Sequence, residues 1–331
     1  MENSISQRIQ RWASEENGDT DFNSIHAEIS YLAAKRFDRY VPTFGTFQNF
    51  ESRLEKWLEN QIPEDDRKIL FRMVLYLFFL GHEELVALQR AALRGPVIRW
   101  LINTLGLSID AVDLDAKLDA AIQRTWFCPI TDSANIQDFY HVNRITNVED
   151  RIQWRAFARI TGGDSTKLKE YMAQKGLATV ALIEDIVGSG SQMSDLEPLF
   201  KTLPESTPVL LCPLIVCPNG AQVGRSLASN YPNVSFDPVM ELLPQSFVTA
   251  LPDPDEPAFY ATVRDLIQRI YLVVSSGEPA SNIVKPYGPF GWQNTGALIV
   301  TYSNTPDNTL PVIQHASKTW NPLFPRSSRI D

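Results

Sequence analysis

Short, nearly continuous apolar runs recur through the last two thirds of this 331-residue chain, separated by stretches with helical spacing. Such runs are typical of strands that are buried on both faces of a sheet, which favours an α/β fold with mostly parallel strands. We predict strands at 125–130, 179–183, 209–216, 234–237 and 297–302. We predict the helices that flank them at 151–160, 165–175, 193–203 and 257–274.

The first third of the chain has a different pattern, in which apolar residues recur every three to four positions. Leu54, Trp57, Leu58 and Ile62 show this spacing, which is typical of an amphipathic helix. Further helices are predicted at 64–80, 82–93 and 96–105. The sequence therefore predicts an α-helical N-terminal region at 1–123, followed by an α/β domain at 124–331.

The charge balance limits the classes of partner. The chain has 30 Lys and Arg against 39 Asp and Glu, a net charge of −9. A negative field disfavours a broad nucleic-acid surface and binding to anionic membranes. No apolar segment reaches the ~20 residues that cross a bilayer, and no signal peptide is visible. Cys128, Cys212 and Cys217 are too few for a disulfide framework and are expected to be reduced and buried, which fits a cytoplasmic protein.

The segment ALIEDIVGSGSQ at 181–192 carries the clearest functional signal. A strand would deliver Glu184 and Asp185 to its carboxyl end, where ligands bind in open α/β sheets. Two glycines let the backbone bring its N–H groups close to an anion, and a following helix adds its positive N-terminal end. The loop residues are Val187, Gly188, Ser189, Gly190, Ser191 and Gln192. This pattern suits a ribose 5-phosphate, with its phosphate on the loop and its hydroxyls on the two acids.

Two other phosphate-binding motifs do not match this loop. A Walker loop would end in Gly-Lys-Ser/Thr, which is absent. A dinucleotide fingerprint would require glycine at position 193, which is Met. A tight turn whose acids cap a helix or face solvent remains the structural alternative.

Two segments near the C-terminus also stand out. A polar loop follows the predicted strand at 297–302, and its Asn304 and Asn308 suit recognition of a base or ribose edge. The closing WNPLFPR at 320–326 is apolar, aromatic and rich in proline. We favour docking of this segment on the core over stacking on a ligand.

Four segments together resemble type I phosphoribosyltransferase-like domains of the bacterial conflict-effector branch, which includes retron antiphage loci. They are PITDSANIQDF at 129–139, ALIEDIVGSGSQ at 181–192, NTPDNTLPVI at 304–313 and WNPLFPR at 320–326. The resemblance implies a phosphoribosyltransferase-like α/β fold with an α-helical N-terminal extension. It also implies that Glu184 and Asp185 serve catalysis beside a 5-phosphate loop.

The resemblance further implies a pyrophosphate loop after the first strand, at Thr131, Asp132 and Ser133. Mg²⁺ would join the ligand there, with Asp132 as its protein contact. The loop lacks the basic residue usual in the family, and an Asp/Ser helix cap is the alternative reading of these residues.

Three functions follow as hypotheses. The first is an enzyme, a phosphoribosyltransferase or nucleotide N-glycosidase, that makes or cleaves an N-glycosidic bond on phosphoribosyl pyrophosphate or a nucleotide. The second is a non-catalytic sensor of phosphoribosyl ligands. In the third, the helical region docks a reverse transcriptase–DNA complex or another defence-system protein.

Overall fold

The computed structural model describes residues 5–15, 21–42, 48–131, 134–146, 148, 151–277 and 287–327. The chain divides into two compact units. We call Glu83–Leu243 the sheet unit, and Met1–His82 together with Pro244–Asp331 the terminal unit. These bounds differ from the consecutive regions predicted from the sequence, because the last segment of the chain shares one hydrophobic core with the first.

The helices are short, and most belong to the flanks of a sheet or to the core of the terminal unit. They are α1 (Ile5–Glu15), α2 (Phe22–Lys35), α3 (Phe50–Leu58), α4 (Glu64–Met73), α5 (His82–Ala92), α6 (Ile98–Leu105), α7 (Leu114–Gln123), α8 (Ile136–Asn143), α9 (Trp154–Thr161), α10 (Ser165–Gln174), α11 (Ser191–Ser194), α12 (Glu197–Thr202), α13 (Pro218–Asn230), α14 (Phe259–Val274) and α15 (Pro311–Gln314). A π-helical turn, Leu93–Val97, joins α5 to α6 and contains Pro96.

The strands are also short. They are β1 (Phe78–Leu80), β2 (Thr125–Pro129), β3 (Thr179–Val187), β4 (Val209–Val216), β5 (Val234–Phe236), β6 (Met240–Glu241), β7 (Tyr287–Gly288), β8 (Gly291–Trp292) and β9 (Ile299–Thr301). The predicted strands at 125–130, 209–216 and 234–237 correspond to β2, β4 and β5. The predicted strand at 297–302 forms as β9, but it pairs with β1 in a separate sheet.

The sheet unit is built on one parallel sheet. Its strand order is β2-β3-β4-β5, and β6 pairs with the carboxyl end of β4. Every pairing in this sheet is parallel, which confirms the predicted α/β fold. The connections from β2 to β3, from β3 to β4 and from β4 to β5 contain helices, as crossovers between parallel strands usually do.

Both faces of this sheet are covered by helices. Along β3, Val180 and Leu182 join one hydrophobic cluster, which includes residues of α9, α10, α12 and α13. Ala181 and Ile183 join the opposite cluster, which includes residues of α6, α7 and α8. Successive side chains of a strand point to opposite faces. Burial on both faces therefore explains why these strands are continuous apolar runs rather than alternating ones.

The outer edge of β2 is occupied by side chains. The carbonyl of Thr125 accepts from Arg151 Nη1 at 2.7 Å, and that of Phe127 accepts from the Tyr140 hydroxyl at 2.9 Å. The carbonyl of Pro129 accepts from Trp154 Nε1 at 3.2 Å. Proline has no N–H to donate, so its position on an edge strand is favourable. The segment that leads into α9 is thereby attached along β2.

The terminal unit corrects one sequence prediction. The predicted helix at 64–80 was wrong in its second half, because α4 ends at Met73 and β1 follows. Phe78 pairs with Ile299 and Leu80 with Thr301, in a two-stranded parallel sheet. A short apolar run fits a buried helix or a buried strand equally well by pattern alone. This run forms a strand because it pairs with β9, which lies more than two hundred residues later in the chain.

The C-terminal segment docks on the terminal unit, as the sequence favoured. Trp320 is 1% exposed, and its Nε1 donates to the carbonyl of Val312 at 3.0 Å. Arg53, which is 5% exposed, donates to the carbonyls of Leu323 at 3.2 Å and Phe37 at 2.8 Å. Its guanidinium carbon lies 4.8 Å from the ring centroid of Phe324. The segment is thus held by a buried cation and by packed aromatic rings.

Within the described ranges, none of the helices is both long and apolar enough to cross a membrane.

Candidate functional site

Glu184 and Asp185 lie within β3, near its carboxyl end. The strand was predicted to stop at residue 183, but pairing with β4 continues from Glu184, opposite Pro213, to Val187, opposite Val216. On the other side, β2 stops earlier, with Pro129 opposite Ile183. The two acids therefore project where the neighbouring strand has ended, which leaves room for loops and ligands at this edge of the sheet.

Glu184 connects the two loops that the sequence singled out. Its side chain is 3% exposed. One carboxylate oxygen accepts from the backbone N–H of Thr131 at 2.7 Å, and the other from the Thr131 hydroxyl at 3.0 Å. A buried carboxylate requires such charge-assisted bonds to offset its lost hydration. The structure therefore brings Thr131 and Glu184 together, and both Glu184 oxygens are directed at the chain rather than at solvent.

Asp185 has a different environment, although it is the next residue. It is half-buried on the opposite side of the strand from Glu184. Burial, together with a smaller contribution from the negative charge of Asp138, raises the pKa of its carboxyl group from 3.8 to about 6. An acid that is costly to ionise, at the ligand edge of a sheet, is a common feature of functional sites.

Asp138 was missed by the sequence prediction. It is an exposed residue on α8, inside the segment 129–139 that carries the family resemblance. It lies in the first turn of α8, the helix that follows β2 in the chain, and its negative charge contributes to the raised pKa of Asp185. Its position within that segment was the only sequence feature that could have indicated a role at the site. Acidic residues on the exposed face of a helix are otherwise common.

The loop after β3 is packed against the first turn of α13. The carbonyl of Gly188 accepts from the N–H of Gly220 at 3.0 Å, and the carbonyl of Val187 accepts from Cys217 at 2.8 Å. A Cβ atom on Gly220 would lie 2.8 Å from the Gly188 oxygen and from Val187. This contact requires glycine in the helix, and it holds the backbone of the loop in one position.

The turn itself depends on Gly190, which has φ +83° and precedes α11. Its carbonyl accepts from the N–H groups of Met193 at 2.9 Å and Ser194 at 3.1 Å. No described residue accepts from the N–H groups of Ser189 or Gly190. The Ser189 and Ser191 hydroxyls lie 3.2 Å apart. Backbone donors with no acceptor, next to two hydroxyls, form the kind of concavity that binds anions.

The helix that follows this loop differs from the prediction. A single helix was predicted at 193–203, but α11 spans Ser191–Ser194 and α12 spans Glu197–Thr202. Ser191 and the exposed Gln192 therefore begin α11 rather than precede a helix. The anion site that we describe accordingly depends on the N–H groups and hydroxyls of the turn, not on the dipole of a long helix.

We expect Gly190→Ala to destabilise the protein by about 2–3 kcal/mol, because it adds left-handed strain and a steric clash. A Cβ atom there would lie 2.8 Å from Val223. The matched control is Gly176→Ala, where φ is +65° but no atom lies within 4 Å, so that the cost is strain alone, about 1 kcal/mol. Urea unfolding measures both. Equal losses would contradict the packing that we describe.

Several predicted site residues have other placements. Asp132 and Ser133 lie outside the described residues. Asn304 Oδ1 accepts from the N–H groups of Thr305 and Ser327, both at 2.9 Å. Asn308 is 8% exposed, and its Nδ2 donates to Thr295 Oγ1 at 2.8 Å. Both amides make internal bonds in the terminal unit, and their assignment to base recognition stays a prediction.

The cysteines are free and buried. Burial raises the pKa of Cys128 and of Cys217 to about 12, and it also raises that of Cys212. Unionised buried thiols are poor nucleophiles and poor metal ligands. Among the described residues, no three His, Cys, Asp or Glu side chains cluster in a way that could hold a metal ion.

The chain matches the model of a known protein family. The model of PRTase-CE, the phosphoribosyltransferase-like family of the conflict-effector branch, matches residues 54–326. The chain belongs to the PRTase-CE family. The match covers all of the sheet unit and most of the terminal unit, so both compact units are part of the PRTase-CE architecture. No curated protein and no solved structure matches the chain.

Proposed function

We propose that this PRTase-CE chain binds a ribose 5-phosphate ligand and makes or cleaves an N-glycosidic bond, as the effector of a retron-type antiphage system. The observation that carries the proposal is the turn at 188–191. Its free backbone donors, the N–H groups of Ser189 and Gly190, lie beyond the carboxyl end of β3, four and five residues after Asp185. Phosphate would bind the turn, and the ribose hydroxyls would approach the acid.

The two acids have separate roles in this proposal. Reaction at C1 of a ribose passes through an oxocarbenium-like centre, so that a nearby anion stabilises the transition state. Asp185 would accept hydrogen bonds from the ribose hydroxyls and supply that negative charge. Glu184 would act as a positioning residue, because its oxygens hold Thr131. This division replaces the symmetrical assignment of both acids to the ribose.

Mg²⁺ fits the chemistry of this edge. The available donors are carboxylate and hydroxyl oxygens, which are the ligands that Mg²⁺ prefers. Asp138 raises the pKa of Asp185, and a bound cation would relieve the repulsion between these two carboxylates. Asp132 remains a further proposed ligand. When bound, the ion would neutralise phosphate charge on the ligand, with most of its coordination supplied by ligand oxygens and water.

A second candidate function is a sensor that binds a phosphoribosyl ligand without turning it over. Engagement of Glu184 with Thr131 favours it, because one of the two predicted catalytic acids is already occupied. In either case we propose that the helical N-terminal part docks a reverse transcriptase–DNA complex or another defence protein. The net charge of −9 favours a protein contact over a broad nucleic-acid surface.

A thermal-shift titration tests this function. We expect phosphoribosyl pyrophosphate, ribose 5-phosphate and AMP, each at 1 mM with Mg²⁺, to raise the melting temperature, because they bind only the folded protein. Asp185→Asn should lose most of this rise, whereas the exposed carboxylate of Asp195 offers the matched control Asp195→Asn. No rise with any of these ligands would reject the proposal. A rise without release of base or pyrophosphate would select the sensor.

A further inference from the structure

The loop between α6 and α7 exposes aliphatic side chains to solvent. Ile109 is 75% exposed and Val112 is fully exposed, and the exposed Leu105 lies at the end of α6. Single exposed aliphatic residues are ordinary on a protein surface. Three of them within eight positions form a patch that is costly to hydrate, and such patches are typical of surfaces that another protein covers.

This loop is an ordered structure. The N–H of Leu107 donates to the carbonyl of Ile102 at 3.0 Å, which closes the end of α6. Two turns follow, in which Ala111 donates to Ser108 at 3.2 Å and Leu114 donates to Ala111 at 3.1 Å. The aliphatic side chains are therefore presented in a fixed arrangement, so that covering them costs little conformational entropy.

Acidic residues surround these aliphatic side chains, and we call the segment 105–119 the acidic patch. Its acids are all exposed, namely Asp110, Asp113, Asp115 and Asp119. Lys117 is its one basic residue, and it already forms an ion pair with Asp113 at 3.0 Å. A protein that covers the acidic patch must therefore bring apolar surface together with positive charge.

The hairpin of α9 and α10 has this complementary composition, and we call the segment 151–175 the basic patch. It has six Lys and Arg against two Asp and Glu, in a chain whose net charge is −9. The exposed side chains of Arg159, Lys167 and Lys169 form no ion pair with any residue that the structure describes. Ile160 lies beside Arg159 and is 74% exposed. Cations that need counter-charges thus adjoin an aliphatic side chain that needs cover.

The two helices of the basic patch are held together. The ring centroids of Phe157 and Tyr171 are 5.2 Å apart. Both glycines of the turn at 162–163 have positive φ, which allows α9 to end and α10 to begin within a few residues. Arg159 in the last turn of α9 and Lys167 in the first turn of α10 therefore lie at the same end of the hairpin.

The acidic patch and the basic patch belong to opposite faces of one sheet. Helices α6 and α7 pack on the face that contains Ala181, whereas α9 and α10 pack on the face that contains Val180. The patches therefore cannot cover each other within one molecule. Two copies that pair them form a heterologous contact, which leaves one patch of each kind open for a further copy. A symmetrical contact between two acidic patches would instead bring like charges together.

We infer that the acidic patch of one copy binds the basic patch of a second copy, so that the chain assembles head to tail through its sheet units. A second copy supplies both of the features that the acidic patch requires, which are cations and an exposed aliphatic side chain. This assembly goes beyond the proposed ligand binding and does not depend on it.

Sedimentation velocity of the full chain, from about 1 to 100 μM, tests the assembly. We expect the mass to grow beyond that of a dimer as the concentration rises, and to fall with added NaCl because salt screens exposed charges. Ile109→Asp and Ile160→Asp should each weaken association by about 10- to 100-fold, since each places a charge in an apolar contact. The matched control is Leu272→Asp, which changes an exposed aliphatic residue of the terminal unit.

Mixing experiments show which patches meet. Ile109→Asp retains the basic patch and Ile160→Asp retains the acidic patch, so that their mixture should form a 1:1 complex and stop there. Charge reversal should behave differently. The pair Asp110→Lys and Asp115→Lys in one variant, and the pair Arg159→Glu and Lys167→Glu in another, should each prevent assembly, because both patches then have the same sign. Their mixture should assemble again beyond two copies.

Three results would overturn the inference. The first is a wild-type chain that stays monomeric over the whole concentration range. The second is a dimer whose association is unchanged in both Ile109→Asp and Ile160→Asp. The third is a mixture of the two charge-reversed variants that stays monomeric while each variant retains the melting temperature of the wild-type chain.

Discussion

The Asp185→Asn variant should be more stable than the wild-type protein at pH 7.5, by about 3 kcal/mol. Folding raises the pKa of this carboxyl group from 3.8 to about 6, and each unit is worth about 1.4 kcal/mol. The folded protein therefore binds this proton more tightly than the unfolded chain does. The stabilising effect of the protonated acid is complete below pH 3.8 and is lost as the pH rises through about 6. Asparagine is never ionised, so the variant avoids that loss.

Urea unfolding at several pH values measures this difference. The advantage of Asp185→Asn should be greatest at pH 7.5 and should decrease towards zero near pH 4. Asp138→Asn is a second useful variant, because the charge of Asp138 contributes to the raised pKa and its removal should give a smaller gain. A loss of stability in Asp185→Asn at neutral pH would show that the carboxylate is favourably bonded in the fold. A gain in stability with a loss of ligand binding is the pattern expected of a functional residue.

Arg53→Ala should destabilise the protein by about 4 kcal/mol, which would be the largest single loss proposed here. The substitution leaves the carbonyls of Phe37 and Leu323 without their buried donor. It also removes the cation from the ring of Tyr40, whose centroid lies 4.9 Å from the guanidinium carbon. Burial already lowers the pKa of Arg53 to about 10, so the charge is maintained against an environment that disfavours it.

The matched control for this prediction is Lys56→Ala, an exposed residue on the same helix. Its one described hydrogen bond is to Gln48 at 3.2 Å on the surface, and its loss should cost under about 0.5 kcal/mol. Limited proteolysis adds a second measurement, because release of the C-terminal segment should expose 320–326 to cleavage in Arg53→Ala. Equal stability of the two variants would contradict our conclusion that Arg53 holds the C-terminal segment in place.

The parallel sheet could be predicted from the sequence because burial on both faces leaves a distinct pattern. The run at 209–216 has no polar side chain, and the structure places it as β4 in the middle of the sheet. The extent of β3 was less visible. Glu184 and Asp185 resemble the end of a strand, but pairing with β4 carries them inside it. Strand ends depend on the neighbouring strand, and a linear pattern does not contain that information.

The candidate site was only partly predictable for the same reason. The local pattern identified the turn after β3, because glycines and serines act through their own backbone. The bonds between Glu184 and Thr131 join residues 53 positions apart, and they depend on the register of β2 against β3. Arg155 approaches Ile130 from a helix 25 positions later in the chain. Contacts of this kind are set by tertiary packing, so sequence spacing gave no sign of them.

The side chains along β2 have a consequence for assembly. Proteins often associate by adding a strand from one molecule to the free edge of a sheet in another. On β2 the carbonyls that would accept such a strand already receive hydrogen bonds from Arg151, Tyr140 and Trp154, and Pro129 has no N–H to offer. A strand from another copy of the chain, or from a different protein, therefore cannot be added at this edge of the sheet. Any protein that binds this side of the sheet unit must be recognised through side chains, so that single substitutions can change which protein is bound.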